Sequence, residues 1–140
     1  MIEFEIKIRV RYAETDRMGY VYYGNYSSFF EVARVEMLRS LGINYRDLED
    51  DGVMLPVLEY RIKYYKPAYY DDELTIKVIM KELPGVRIHF DYKTYVGETL
   101  VNEADTTLVF VNIKSGRPQM IPDDLLEIFE KHYKKNTLPE

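Results

Sequence analysis

Cysteine is absent from this 140-residue chain, which excludes disulfides and thiolate chemistry. That fits a reducing compartment. Tryptophan is absent as well, and histidine occurs only at 89 and 132, too far apart for metal-ligand spacing. Neither G-x-G-x-x-G nor G-x-x-x-x-G-K occurs, so the dinucleotide and P-loop signatures are missing. No run approaches the ~20 apolar residues of a membrane span. The first ten residues alternate charged and apolar types, unlike a secretory signal, and the chain reads as cytoplasmic. Positive charge is in the minority, 19 Lys and Arg against 24 Asp and Glu for a net charge of −5. Broad electrostatic binding to nucleic acid is thereby excluded, while a local basic patch for a phosphate-bearing ligand stays open.

What is present is ordinary for a globular protein, 46% hydrophobic and 31% charged. The length fits one domain, residues 1–135, followed by a tail at 136–140. Tyrosine is abundant at 14 residues. So many flat rings with polar tips on a small domain point to subunit contacts or a ligand slot.

Residues 3–12 alternate strictly, with Phe4, Ile6, Ile8, Val10 and Tyr12 opposite Glu3, Glu5, Lys7, Arg9 and Arg11, as in a strand buried on one side. Residues 13–24 form a loop in which Gly19 and Gly24 allow backbone positions closed to other residues. A helix follows from Tyr26 to Leu41, with Tyr26, Phe29, Phe30, Ala33, Met37 and Leu41 on one face, Asn25 as N-cap and Gly42 as the terminating glycine. Val32, Val35 and Leu38 interrupt its polar face, so sheet or a second subunit should wrap it. A short helix near Asn44–Leu48 closes at Asp50-Asp51-Gly52.

Strand signals then recur over Val53–Lys66, Leu74–Lys81, Val86–Lys93 and Leu100–Ile113, broken at Pro67, Asp71-Asp72, Pro84-Gly85 and Gly97-Glu98. A last helix spans about Pro122 to Lys135. The order predicts an α+β fold, an antiparallel five-stranded meander wrapped around one long central helix.

The stretch that organises the chain is Tyr12–Leu38, YAETDRMGYVYYGNYSSFFEVARVEML, in which Asp16 precedes a glycine-containing loop that opens the helix. A helix N-terminus carries unpaired N–H groups and positive dipole, both of which attract developing negative charge. Tyr12, Thr15-Asp16, Gly19, Val21, Tyr23, Asn25-Tyr26, Glu31, Ala33 and Arg34, with Thr106-Thr107, Phe110-Val111 and Gly116-Arg117-Pro118 later, resemble the hotdog-fold acyl-CoA thioesterases of the 4-hydroxybenzoyl-CoA thioesterase-like family. The resemblance covers nearly the whole chain.

It implies hydrolysis of an acyl-CoA to free acid and CoA without metal or cofactor. By this resemblance Asp16 is the catalytic carboxylate, as nucleophile or as the base that activates water, and the Tyr23 backbone N–H polarises the thioester oxygen. Relatives carry His or Tyr at the Tyr23 position; with Tyr here, an imidazole shuttle drops out while a backbone contact is retained. The acyl group would enter a tunnel between subunits lined by the Tyr26, Phe29 and Phe30 end of the helix. Arg87 and His89 would contact the CoA phosphates, the structural alternative being a solvated strand face. Glu31 and Arg34, three apart, read as an intrahelical or intersubunit ion pair. A homodimer or homotetramer is expected. Two rivals stand beside this reading. One is a module that binds acyl-CoA without turnover. The other is a dehydratase, disfavoured because the Asp16 region has no His.

Overall fold

The computed structural model describes residues 1–137. Its elements are β1 (Ile2–Arg9), α1 (Asn25–Ser40), α2 (Tyr45–Asp50), β2 (Val53–Met54), β3 (Val57–Tyr64), β4 (Glu73–Met80), β5 (Arg87–Val96), β6 (Thr99–Val109), β7 (Val111–Asn112) and α3 (Asp123–Thr137). The final helix runs past the expected domain end at 135, and the expected tail lies outside the described residues from 138 on. The strand expected over Val53–Lys66 is two strands, because Pro56 interrupts it. The one expected over Leu100–Ile113 breaks at Phe110, whose N–H turns away to the Val86 carbonyl at 3.0 Å. β2 and β7 then pair as a small separate sheet.

The main sheet is five-stranded and antiparallel, in the order β1-β4-β5-β6-β3. Only β4-β5-β6 is a meander. β3 is not beside its sequence neighbour β4 but on the far edge against β6. The connection from Tyr65 to Asp72 must therefore cross the end of the sheet.

One sheet face is apolar. Leu74, Ile76, Val78 and Met80 on β4 continue into Ile88, Phe90 and Tyr92 on β5, all buried, which is the period-two pattern of a half-covered sheet. α1 lies on this face and buries Tyr26, Phe29, Phe30, Ala33, Met37 and Leu38. Phe30 is fully buried and stacked on Tyr92 with ring centroids 4.5 Å apart and planes 26° apart. Phe30 also meets Tyr60 of β3 edge-on, as Tyr26 meets Tyr64. α1 thus reaches the sheet from edge to edge, while α3, of nearly equal length, adds Leu125 and Phe129 to the core. The helix stops where expected. Gly42 takes φ +85, its N–H donates to Arg39 and the next N–H, from Ile43, donates to Leu38 at 2.9 Å. This satisfies the terminal carbonyls through a left-handed residue that glycine adopts without a Cβ penalty.

Thr94 and Asn102 are cross-strand partners with no exposure, and Thr94 Oγ1 and both Asn102 side-chain heteroatoms lack hydrogen-bond partners. An unmatched buried polar group opposes folding. Thr94→Val should therefore raise unfolding free energy by about 1 kcal/mol in urea titrations. A comparable loss would mean that the hydroxyl is bonded in the folded state.

Candidate active site

The loop ahead of α1 is held at several points. A one-turn 3-10 helix covers Tyr12–Glu14, and Thr15 and Val21 form an antiparallel bridge. Between them the chain reverses at Gly19, φ +82, whose N–H donates to the Asp16 carbonyl at 3.0 Å. The Asp16 carboxylate closes the same turn, since its Oδ1 accepts the N–H groups of Met18 at 2.9 Å and Tyr20 at 3.2 Å. This is the local structure for which aspartate is favoured in turns. The other oxygen, Oδ2, takes no hydrogen bond from the described residues, so Asp16 serves the turn with one oxygen and keeps the second available.

The crossing connection from β3 to β4 braces this loop from outside. Val21 donates to the Ala68 carbonyl at 2.8 Å, Tyr20 and Tyr69 form a bridge, and their rings meet edge-on. The helix braces it from inside. Asn25, expected as the N-cap, is instead the first helical residue, and Gly24 holds the cap position without a side-chain bond. The Asn25 side-chain amide donates to the Glu14 carbonyl at 2.8 Å, tying the helix start to the loop. Gly24 was expected to supply unusual backbone freedom, yet its φ is an ordinary −64. Its lack of a side chain matters for space, because a Cβ there would lie 2.6 Å from the Tyr22 ring.

These constraints place Asp16, Tyr23 and Tyr26 on one cleft of about 420 Å³, together with Tyr20, Tyr64 and Lys66. Asp16 is half-buried and lines the cleft beside Tyr23 and Tyr26. The Tyr23 amide has no backbone acceptor among the described residues. The Tyr23 ring is largely exposed and rests against Tyr22. Burial, aided by Tyr64 and Asp72, pushes the Tyr26 phenol up to about 12. Burial, then Tyr23, pushes Tyr64 up too. Both phenols are neutral donors near pH 7, not bases.

Phe29, expected to contact substrate, is buried in the core, edge-on to Tyr26, and does not line the cleft. Arg87 and His89 also lie elsewhere. Both belong to the outer face of β5, opposite the helix. Arg87 is seven residues from Thr94, whose row borders the cleft, or about 23 Å along the strand. His89 binds Thr107 Oγ1 at 2.9 Å and lies 3.4 Å from Asp91. The cation at the cleft is Lys66, which the sequence reading missed, as it did the tyrosines Tyr20 and Tyr64. The signal for them was the crossing connection, visible only once β3 is paired with β6.

The high Tyr26 value has a testable sign. The folded phenol ionises at a higher pH than an unfolded one near 10. Its contribution to stability is therefore complete below pH 10 and lost as pH rises toward 12. Urea unfolding between pH 9.5 and 11.5 should show stability falling more steeply in the parent protein than in Tyr26→Phe.

The model of the Thioesterase-like superfamily matches residues 10–129. The acyl-CoA thioester hydrolase YbgC of Escherichia coli O157:H7 is 33% identical over 91% of this chain and 96% of its own. The 1,4-dihydroxy-2-naphthoyl-CoA hydrolase of Nostoc punctiforme is 26% identical over 92% and 88%. Among solved structures, DHNA-CoA thioesterase from Staphylococcus aureus superposes with a TM-score of 0.90 at 30% identity, covering 97% of this chain and 94% of the other. With a five-stranded antiparallel sheet, a buried helix across its face and a family match over most of its length, the chain belongs to the Thioesterase-like superfamily and has the hotdog fold of its thioesterases.

Proposed function

We propose that the cleft at the start of α1 hydrolyses an acyl-CoA thioester to free acid and CoA, with Asp16 as its carboxylate and the Tyr23 amide as oxyanion donor. The observation that carries this reading is that Asp16 and Tyr23 line one cleft, with Asp16 Oδ2 and the Tyr23 N–H both without hydrogen-bond partners among the described residues.

The thioester carbonyl carbon is attacked either by Asp16 Oδ2 or by a water that Asp16 deprotonates. Negative charge then grows on the carbonyl oxygen, where a preset amide stabilises it; losing such a donor raises the barrier by ~3 kcal/mol. The carbon–sulfur bond breaks as the tetrahedral centre collapses, and the sulfur leaves as CoA thiolate to be protonated. In the direct-attack route, water afterwards hydrolyses the acyl-aspartyl anhydride and restores Asp16. Tyr26 and Tyr64, held protonated, orient the substrate and withdraw no proton. The five tyrosines around the cleft, Tyr20, Tyr23, Tyr26, Tyr64 and Tyr65, favour a flat aromatic acyl group, which can pack on their rings. Lys66 is the nearest candidate for a CoA phosphate. Arg87 and His89 could take that role only toward a substrate reaching around from a neighbouring subunit.

The same reading includes a second copy. β3 is a free edge strand, and Val57, Leu58, Tyr60 and Tyr64 on it are exposed. An apolar, unpaired edge of this kind invites pairing with another chain. A homodimer, or a homotetramer built from it, covers that edge and turns the open cleft into a tunnel between subunits.

The test is thiol release from a panel of straight-chain and aromatic acyl-CoAs. Asp16→Asn should lower kcat by about 100-fold or more with KM within about threefold, since the change removes charge from the reacting atom and little from binding. Undiminished kcat in that variant would remove Asp16 from the mechanism. Tight acyl-CoA binding with no thiol release from any ester would favour the non-catalytic binding module.

A further inference from the structure

α1 carries a second set of polar groups away from the cleft. Arg34 is only 8% exposed, yet no carboxylate lies within ion-pair distance of it among the described residues. Its one side-chain hydrogen bond among those residues is a long 3.4 Å contact from Nη1 to the Tyr92 hydroxyl. That hydroxyl is itself engaged with Thr106 Oγ1 at 2.7 Å. A guanidinium has five donors, and an unpaired buried cation is among the costliest arrangements in a folded chain. Glu31 stands three residues earlier on the same helix, where an intrahelical pair is possible. It is exposed and does not make that pair.

Glu31 and Arg34 line one cavity of about 280 Å³ with Ser28, Val57, Tyr60 and Thr106. Val57 and Tyr60 belong to the free β3 edge, so this polar cavity lies beside the exposed apolar strip. A small anion would satisfy Arg34 but would leave Glu31, Val57 and Tyr60 in water. A second copy of the chain covers all of them. It also supplies the missing sign of charge, because in a two-fold interface a contact from one residue to another is returned by its mate.

We infer that the counter-ion of Arg34 is Glu31 of a second copy, so that two reciprocal Arg34–Glu31 pairs join the α1 helices across the β3 edge. This rests on the two-chain reading above and completes a cavity that one chain leaves half built. The pairs also fix which way the two chains face, since an apolar strip alone does not specify register.

The experiment uses mass by light scattering at several concentrations, a readout independent of the hydrolysis assignment. Wild type should be a dimer or larger. Arg34→Glu alone and Glu31→Arg alone should each weaken association at least tenfold. An equimolar mixture of these two single variants should recover it, because a chain bearing two acids faces a chain bearing two bases. Within either chain the like charges remain, so recovery identifies pairing between chains. Should Arg34→Glu fail to fold, the exposed position carries the test. Glu31→Gln should weaken association at least threefold and Glu31→Arg at least tenfold, with helical circular dichroism unchanged. Singles that associate as tightly as wild type, or a folded mixture that does not recover, would overturn the pairing while leaving the dimer. A monomeric wild type would overturn both.

Discussion

Phe30 lying flat on Tyr92 is the contact on which the arrangement depends. It joins the middle of α1 to a central strand, with no water reaching either ring. Burial of two such side chains, plus the extra gain of a stacked aromatic pair, contributes several kcal/mol in a molecule whose net stability is of that same order. The helix cannot slide along the sheet without separating those rings and opening a cavity. Its N-terminus is thereby set in space, and with it the Tyr23 amide and the Asn25 side chain that reaches back to Glu14.

Asp16 is positioned through that chain of contacts. The loop before α1 is bridged to itself at Thr15 and Val21, tied to the helix by Asn25, and braced by the connection that crosses from β3 to β4. The carboxylate is divided in its duties: one oxygen holds the turn and the other is available. A carboxylate that also closes its own loop has little rotational freedom left to lose on meeting a ligand. The turn-forming and functional interpretations of Asp16 are thus compatible, being carried by different atoms.

Much of the local structure was legible from the residues. Alternation along β1, β4 and β5 located strands and told which side of each is buried. Gly42 marked the helix end because the carbonyls there need a left-handed residue. The Thr-Asp loop leading into a helix marked the end of the molecule where Asp16, Tyr23 and Tyr26 line one cleft. Phe29 is buried like Tyr26 but does not line the cleft, because helical period reports which face is buried and not which buried residues border a cleft. Arg87 and His89 lie away from that cleft for a related reason. Alternation reports the face of a strand but not which end of the sheet a residue occupies.

By itself the sequence determined what depends on near neighbours: strand and helix periods, turn positions, the helix stop, and the carboxylate held in its own turn. Tertiary structure decided that β3 pairs with β6 instead of β4. That single choice carries Lys66 and Ala68 across the sheet end, brings Tyr64 opposite Tyr26, and leaves an apolar edge beside Arg34. The reason is physical. Turn and helix signals arise from atoms a few residues apart, but strand order is set by competition among distant segments for one buried face, and any of several apolar strands would satisfy the local pattern.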